Sequence, residues 1–358
     1  MLTSFSIKAK ARELGFDLCG IAPADSFPEL AFLHEWLDRG YAGDMAYMSR
    51  SADRRADVRS VVPGARSVIV TGTLYNSVPP YVGSDPPYKS YQGVESSREG
   101  GLTPALIARY AWGDDYHDVL KTRLDALLEW MRANAEAPFD ARAYVDTGPV
   151  QERVYAQYAG LGWIGRNTCL INAERGSWLF LAEIICTLPL DADGPGVDQC
   201  GSCTRCLDAC PTEALVAPGV LDSRRCLSYL TIELRTSIDE TLRAGLGTHV
   251  YGCDICQDVC PYNEAAPAST EPAWHARSGL DLPGLAELWR RPDTDLRALV
   301  RGTPMTRAKL TGLRRNIAVA IGNSGDESGR HALAEDSDER PSARDPMVQE
   351  HIRWALKR

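Results

Sequence analysis

Eight cysteines lie between residues 200 and 261, and two runs among them each end in a Cys-Pro pair. Cys200, Cys203, Cys206 and Cys210-Pro211 form a C-x2-C-x2-C-x3-C-P run. Cys253, Cys256 and Cys260-Pro261 form a shorter C-x2-C-x3-C-P run, with Cys226 between the two. Three thiolates at successive x2 spacings wrap one face of an iron–sulfur cubane, and with two clusters the fourth cysteine of a run ligates the other one. The expected ligand sets are therefore Cys200, Cys203, Cys206 and Cys260 for one [4Fe–4S] cluster, and Cys253, Cys256, Cys210 and Cys226 for the other. Cys226 replaces the ligand missing from the second run. The chemistry is one-electron transfer.

Structural zinc also takes four thiolates, but usually on two separated C-x2-C knuckles. Disulfides fit less well, because Lys8, Lys10, Arg12 and Glu13 interrupt any apolar leader. Eleven cysteines in that setting imply a reducing cytoplasm and metal ligation. Cys19, Cys169 and Cys186 sit in apolar stretches and read as buried bystanders.

The elements that must position these groups divide into three units. Residues 1–192 alternate strands with helices and read as an α/β or α+β domain. Helices are expected over 4–14, 28–39, 116–135 and 150–159, and strands over 17–21, 66–71, 106–112, 143–146 and 178–186. Residues 76–104, rich in proline, glycine and serine, read as a long loop. Residues 193–265 form a ferredoxin-like two-cluster domain whose small core the clusters would staple. Residues 266–358 read as a helical tail, with 313–321 and 348–356 as a HEAT-like helical pair.

At 358 residues the chain has room for two or three cores, and no stretch approaches the roughly 20 apolar residues of a membrane span. A net charge of −9 argues against uniform wrapping by nucleic acid. Residues 297–320 nevertheless contain Arg297, Arg301, Arg307, Lys309, Arg314 and Arg315 and no acid, so a local basic face is expected. Gly160-Leu161-Gly162-Trp163-Ile164-Gly165 follows a helix rather than a strand, so a dinucleotide cradle is unsupported. Asp115-Tyr116-His117 comes nearest to the D-x-H-x-x-G pattern of histidine-ligated cobalamin, but Leu120 stands where glycine is needed.

Beside the cysteine runs, the chain carries Arg109-Tyr110-Ala111-Trp112-Gly113, Val145-Asp146-Thr147-Gly148-Pro149, Gly162-Trp163-Ile164-Gly165-Arg166-Asn167-Thr168 and Gly176-Ser177-Trp178. It continues with Arg225-Cys226-Leu227-Ser228-Tyr229, Arg314-Arg315-Asn316-Ile317-Ala318 and His351-Ile352-Arg353-Trp354. With these segments the chain resembles the epoxyqueuosine reductases, cobalamin- and iron–sulfur-dependent enzymes of tRNA queuosine synthesis, nearly end to end.

The resemblance implies a function for each unit. The first becomes a cobalamin-binding catalytic domain and the tail a tRNA-binding one. Asp146, in the Val-Asp-Thr-Gly turn, would be the proton donor. Arg55, Ala108, Asp146, Asn167, Leu170, Leu181 and Asp254 would border the corrin. Ala108 stands where serine or cysteine is common, and Arg166 replaces a common lysine. Electrons from a flavodoxin or reductase would pass through both clusters and take cob(II)alamin to cob(I)alamin. That nucleophile would open the epoxide of epoxyqueuosine in a tRNA anticodon, and loss of water would leave the alkene. Arg307, Lys309, Arg314 and Arg315 are the expected phosphate contacts. A monomer suffices. Two other readings share the cluster motifs: a reductive-dehalogenase-like corrinoid enzyme acting on a small molecule, and a ferredoxin-like electron carrier. Dehalogenases usually carry a twin-arginine export signal, and no such signal is evident here.

Overall fold

The computed structural model describes residues 2–77, 103–335 and 337–358. Most of the loop expected over 76–104 lies outside the described residues. The first helix, Ser4–Glu13, opens on a capping box in which the Thr3 hydroxyl accepts from the Ser6 N–H and the Ser6 hydroxyl from the Thr3 N–H. Its inward face carries Ile7 and Ala11.

Four strands form the main sheet in the order β1 (Leu18–Pro23), β2 (Ser67–Leu74), β7 (Leu179–Cys186) and β4 (Ala141–Tyr144), and two short antiparallel pairs, β5 (Trp163–Ile164) with β6 (Leu170–Ile171) and β8 (Leu215–Ala217) with β9 (Val220–Leu221), lie outside it. Every pairing in it is antiparallel, so α+β is the class that describes it. β2 is buried at all eight positions: Val68, Ile69, Val70 and Leu74 supply its apolar contacts, while the Ser67 and Thr71 hydroxyls donate to the Leu188 and Ala182 carbonyls. One face of the sheet packs on the helices Ser4–Glu13 and Tyr116–Asn134 through Ile7, Leu120, Leu124, Leu127 and Met131. The other face packs on Pro28–Asp38 and Glu152–Tyr158 through Leu30, Val154 and Tyr155. The helix Tyr116–Asn134 starts where the Asp115 carboxylate caps the His117 N–H at 3.1 Å. This places Tyr116 and His117 in its first turn.

The apolar run expected as a strand over 106–112 pairs only at β3 (Leu106–Ile107) before a 3-10 turn over Arg109–Ala111. Its partner is the three-residue β10 (His249–Tyr251), running parallel from the cysteine-rich segment. A partner that short cannot extend the ladder.

The tail is helical as expected. Lys309–Ser324 is buried along most of its length and packs against Pro346–Ala355. A Cβ on Gly322 would stand 2.8 Å from Ala355 and Trp354, so glycine is what permits this approach. The expected boundaries at 192/193 and 265/266 do not separate cores. One continuous cluster joins Ile107 and Trp112 to Leu227, Leu230 and Tyr251 and to Leu313, Ile317 and Ile352. Burial of that interface holds the three segments together.

Candidate functional site

The sheet and the cysteine-rich segment flank an open cavity of about 1860 Å³. Pockets for drug-sized ligands run to about 1,000 Å³, so this one has room for a macrocycle and part of a second ligand. Asp146 borders it one residue beyond Val145, at the end of β4. Its backbone is left-handed, with φ at 55°, a conformation that Asp tolerates better than most residues. Three groups fix it there. The Tyr116 hydroxyl donates to Oδ2 at 2.9 Å, His117 Nε2 lies 3.4 Å from the same oxygen, and the Asp146 N–H donates to Glu152 Oε1 at 2.8 Å. The other His117 nitrogen, Nδ1, is 2.7 Å from Asp115 Oδ1.

The electrostatics follow from these contacts. Enclosure by protein pushes the Asp146 carboxyl up, but the donors His117 and Tyr116 outweigh it and the net displacement is downward. The side chain is still 59 % accessible, because it looks into the open cavity. Burial lowers His117, yet the Asp115 and Asp146 carboxylates override it and bring the imidazole up to about 9. The proton shared by the His117–Asp146 pair therefore sits on the imidazole while the cavity holds water. Filling the cavity with a large ligand would remove that water and push the carboxyl up. The arrangement can hold one proton between an imidazole and a carboxylate at the cavity wall.

Asp115, Tyr116 and His117 were legible only as a failed cobalt-ligand pattern. Both His117 nitrogens face carboxylates, Nδ1 that of Asp115 and Nε2 that of Asp146. Neither Glu152 nor Glu183 was singled out in the sequence; the one mark Glu183 carries there is that it is a lone acid in the apolar run Leu179–Cys186.

The cysteines gather in two groups. Cys200, Cys203, Cys206 and Cys260 line one small cavity, with Asn167 and Tyr262. Cys253 lies in the electrostatic field of Cys226 and Cys210, and Cys256 in that of Cys253 and Cys226. No three His, Cys, Asp or Glu side chains among the described residues close on a single ion. The first four thiols instead ring a space, which is what a multi-atom cluster requires. The Trp163 indole N–H donates to Cys200 Sγ at 3.4 Å, and the Ala214 N–H to Cys210 Sγ at 3.2 Å. Cys169 is no remote bystander, because its thiol contacts that of Cys256.

Of the expected corrin contacts, Arg55 and Asp146 border the large cavity. Ala108, Asn167, Leu170 and Asp254 are buried and do not line it, Asn167 facing the small cysteine cavity instead, and Leu181 is half-buried on β7. Asn167 donates to the Cys256 carbonyl at 3.2 Å, and Asp254 accepts from the Arg109 N–H at 2.7 Å.

The basic segment divides. Arg307 and Lys309 stand at the cavity, with Arg307 paired to Glu233 at 2.8 Å. Arg314 and Arg315 are fully buried, contrary to the expectation that they contact phosphate. Arg314 pairs with Asp293 at 3.0 Å and donates to the Trp289 carbonyl. Arg315 donates to the carbonyls of Leu230, Leu234 and Thr236. Arg314 neutralises a carboxylate and carbonyl dipoles inside the tail, and Arg315 ties the tail to carbonyls of the cysteine-rich segment. Among the described residues no helix is long and apolar enough to cross a membrane.

Comparison with known proteins agrees with this geometry. Residues 55–147 match the family described as epoxyqueuosine reductase QueG, DUF1730, and residues 199–263 a 4Fe-4S double cluster binding domain. The epoxyqueuosine reductase of Xanthomonas campestris pv. campestris is 39 % identical over 350 residues, covering 98 % of this chain and 94 % of that protein. That of Gloeobacter violaceus is 43 % identical, covering 90 % and 97 %. A crystal structure of epoxyqueuosine reductase with an epoxyqueuosine-modified tRNA-Tyr stem loop superimposes with a TM-score of 0.84 at 29 % identity, covering 98 % of this chain and 88 % of that one. The Bacillus subtilis enzyme, solved with its catalytic aspartate loop swung out of the active site, superimposes with a TM-score of 0.81 at 27 % identity, covering 99 % and 98 %.

Proposed function

We infer the function from one premise: the chain belongs to the epoxyqueuosine reductase family. It reduces epoxyqueuosine to queuosine at the wobble position of a tRNA anticodon. The epoxide takes up two electrons and two protons, its oxygen leaves as water, and an alkene remains. The observation that carries this reading is the convergence of Asp146, His117 and Tyr116 on a cavity of about 1860 Å³ beside a double-cluster segment.

The residues around the cavity suit a cobalamin. The space exceeds that of ordinary ligand sites, and among the described residues no histidine in its wall has a nitrogen free of carboxylate contact. A bound cobalamin supplies a low-valent metal nucleophile toward carbon, recharged one electron at a time through the two clusters. Arg55 and Asp146 would meet it directly. Ala108, Asn167, Leu170, Leu181 and Asp254 would support the wall behind, offering backbone more than side chain. Cys200, Cys203, Cys206 and Cys260 would hold one cluster and Cys210, Cys226, Cys253 and Cys256 the other.

The chain's own work is proton delivery. As ligand displaces water from the cavity, the shared proton shifts from His117 Nε2 toward Asp146 Oδ2. Asp146 then donates it to the epoxide oxygen as the C–O bond breaks, and Tyr116 steadies the carboxylate left behind. The base must leave its stack to enter. Arg307 and Lys309 are placed to meet anticodon phosphates at the mouth. We assign the 1–192 segment to catalysis, 193–265 to the clusters and 266–358, with its HEAT-like helical pair, to tRNA. The protein would act as a cytoplasmic monomer fed by a flavodoxin or reductase.

Nucleoside mass spectrometry of tRNA from a deletion strain tests this reading. Epoxyqueuosine should accumulate without the protein, disappear when the wild type is restored, and persist with Asp146→Ala. An unchanged queuosine level in the deletion strain would overturn it.

A further inference from the structure

Glu183 is the single acid on β7 and is fully buried. The register pairs it with Tyr144, the last residue of β4, two positions before Asp146. Neither of its carboxyl oxygens meets a donor group among the described residues. The group within hydrogen-bonding reach is the Glu152 carboxyl. A carboxylate only accepts, so two carboxyls can bond only if one of them keeps its proton. Glu152 in turn accepts the Asp146 N–H at 2.8 Å, at a residue whose φ of 55° needs outside support.

We propose that Glu183 is a positioning residue for the reaction: a neutral carboxylic acid that donates to Glu152, so that the pair grips the backbone of the Asp146 turn and keeps its carboxyl in the cavity. The proposal rests on the reading of Asp146 as the proton donor. Glu152 belongs to the helix Glu152–Tyr158 and borders the cavity, so the pair links the sheet to the acid.

The charges around the pair favour the neutral form. Asp146 faces Glu152 from the turn, and Glu152 and Asp146 both face Glu183. Opposing them are Arg55, from the helix Ala52–Ala56, and Arg153, beside Glu152. Arg55 donates to Ser51 and to the Val150 carbonyl instead of to Glu183. Burial, with the Glu152 charge, pushes Glu183 far above the usual carboxylate range. Burial and the Asp146 charge bring Glu152 up to about 7. The pair therefore holds a proton at pH values where ordinary carboxyls have lost theirs, and gives it up as the pH rises further. Two bare carboxylates in contact, with Asp146 as a third, would then repel and release the turn.

The test reads the turn separately from the reaction. In the holoenzyme, hydrogen-exchange protection factors are measured over residues 144–152 across pH for the wild type, E183Q and E183L. Protection in the wild type should collapse in alkali. E183Q, which keeps a donor toward Glu152 and cannot ionise, should hold its protection, while E183L should lose it at every pH. Turnover should fall by up to about a hundredfold in E183L and recover substantially in E183Q. In the infrared difference spectrum of wild type minus E183Q at neutral pH, the carbonyl stretch of a protonated carboxyl should appear as a band lost in the variant. Identical alkaline loss of protection in E183Q and wild type, or no protonated-carboxyl band in their difference spectrum, would overturn the proposal. Full activity of Asp146→Asn would instead remove the acid and leave the exchange result to judge the latch.

Discussion

His117 Nε2 lies 3.4 Å from Asp146 Oδ2, and the same imidazole places Nδ1 2.7 Å from Asp115 Oδ1. A histidine between two carboxylates gains in its charged form what it loses by leaving water. Here the gain prevails and takes it from 6.5 up to about 9. The sign for stability follows. Folding favours protonated His117, so its contribution is complete below pH 6.5 and is lost as the pH rises toward about 9. Urea unfolding of wild type and His117→Gln across that window should converge at its alkaline end.

Turnover should report the same pair. Replacing His117 by Gln removes the imidazolium that holds Asp146 down, so burial dominates and the carboxyl rises. It also removes the proton supply, and loss of a general acid's partner costs on the order of 100-fold or more. The alkaline limb of kcat should therefore move and the plateau should fall. A pH–rate profile with an unmoved limb would show that the His117 proton is not used.

Much of this was open to sequence reading because the constraints are local. Cysteine spacing fixes which thiols share a cubane face, and helical periodicity placed Tyr116–Asn134 almost to the residue. Other features depend on partners far away in the chain. Leu106–Trp112 is apolar enough for a strand, but only two residues find a partner, and that partner lies at His249–Tyr251. Charge spacing likewise cannot tell an arginine facing solvent from one facing carbonyl groups. Arg307 and Arg314 look alike in sequence, yet one stands half-open at the cavity and the other is sealed in the tail. The Glu152–Glu183 contact joins a helix to a strand that no local pattern connects.

That difference separates two substitutions. Arg307→Glu should weaken binding of an anticodon stem-loop and reduce the salt-dependence slope by about 1. Its melting temperature should change little, since Arg307 is about half exposed and its pair with Glu233 is largely screened by water. Arg314→Glu buries a second carboxylate beside Asp293 and strips donors from the Trp289 and Arg291 carbonyls. Breaking a buried pair costs about 3–5 kcal/mol, so this variant should lose fold stability before it shows any selective binding defect. Binding isotherms and thermal melts of the two proteins settle the distinction. A well-folded Arg314→Glu with selectively weakened RNA binding would contradict the burial.

The last prediction concerns which thiols act together. Cys260 lies far along the chain from Cys200, Cys203 and Cys206, yet shares their cavity, while Cys210 lies near Cys226 and Cys253. If ligation crosses between the runs, Cys260→Ala and Cys206→Ala should disturb the same cluster, and Cys210→Ala and Cys253→Ala the other. Trp163 marks the first of these, because its N–H donates to Cys200 Sγ. Hydrogen bonds to cluster sulfurs shift reduction potentials, and removing a donor lowers the potential by favouring the less negative oxidised state. Trp163→Phe should therefore lower the potential of one cluster and leave the other in place. Redox titration followed by electron paramagnetic resonance reads both outcomes in one experiment. If Cys260→Ala instead altered the signal that Cys253→Ala alters, and spared the one sensitive to Trp163→Phe, each run would hold its own cluster and the crossed assignment would fail.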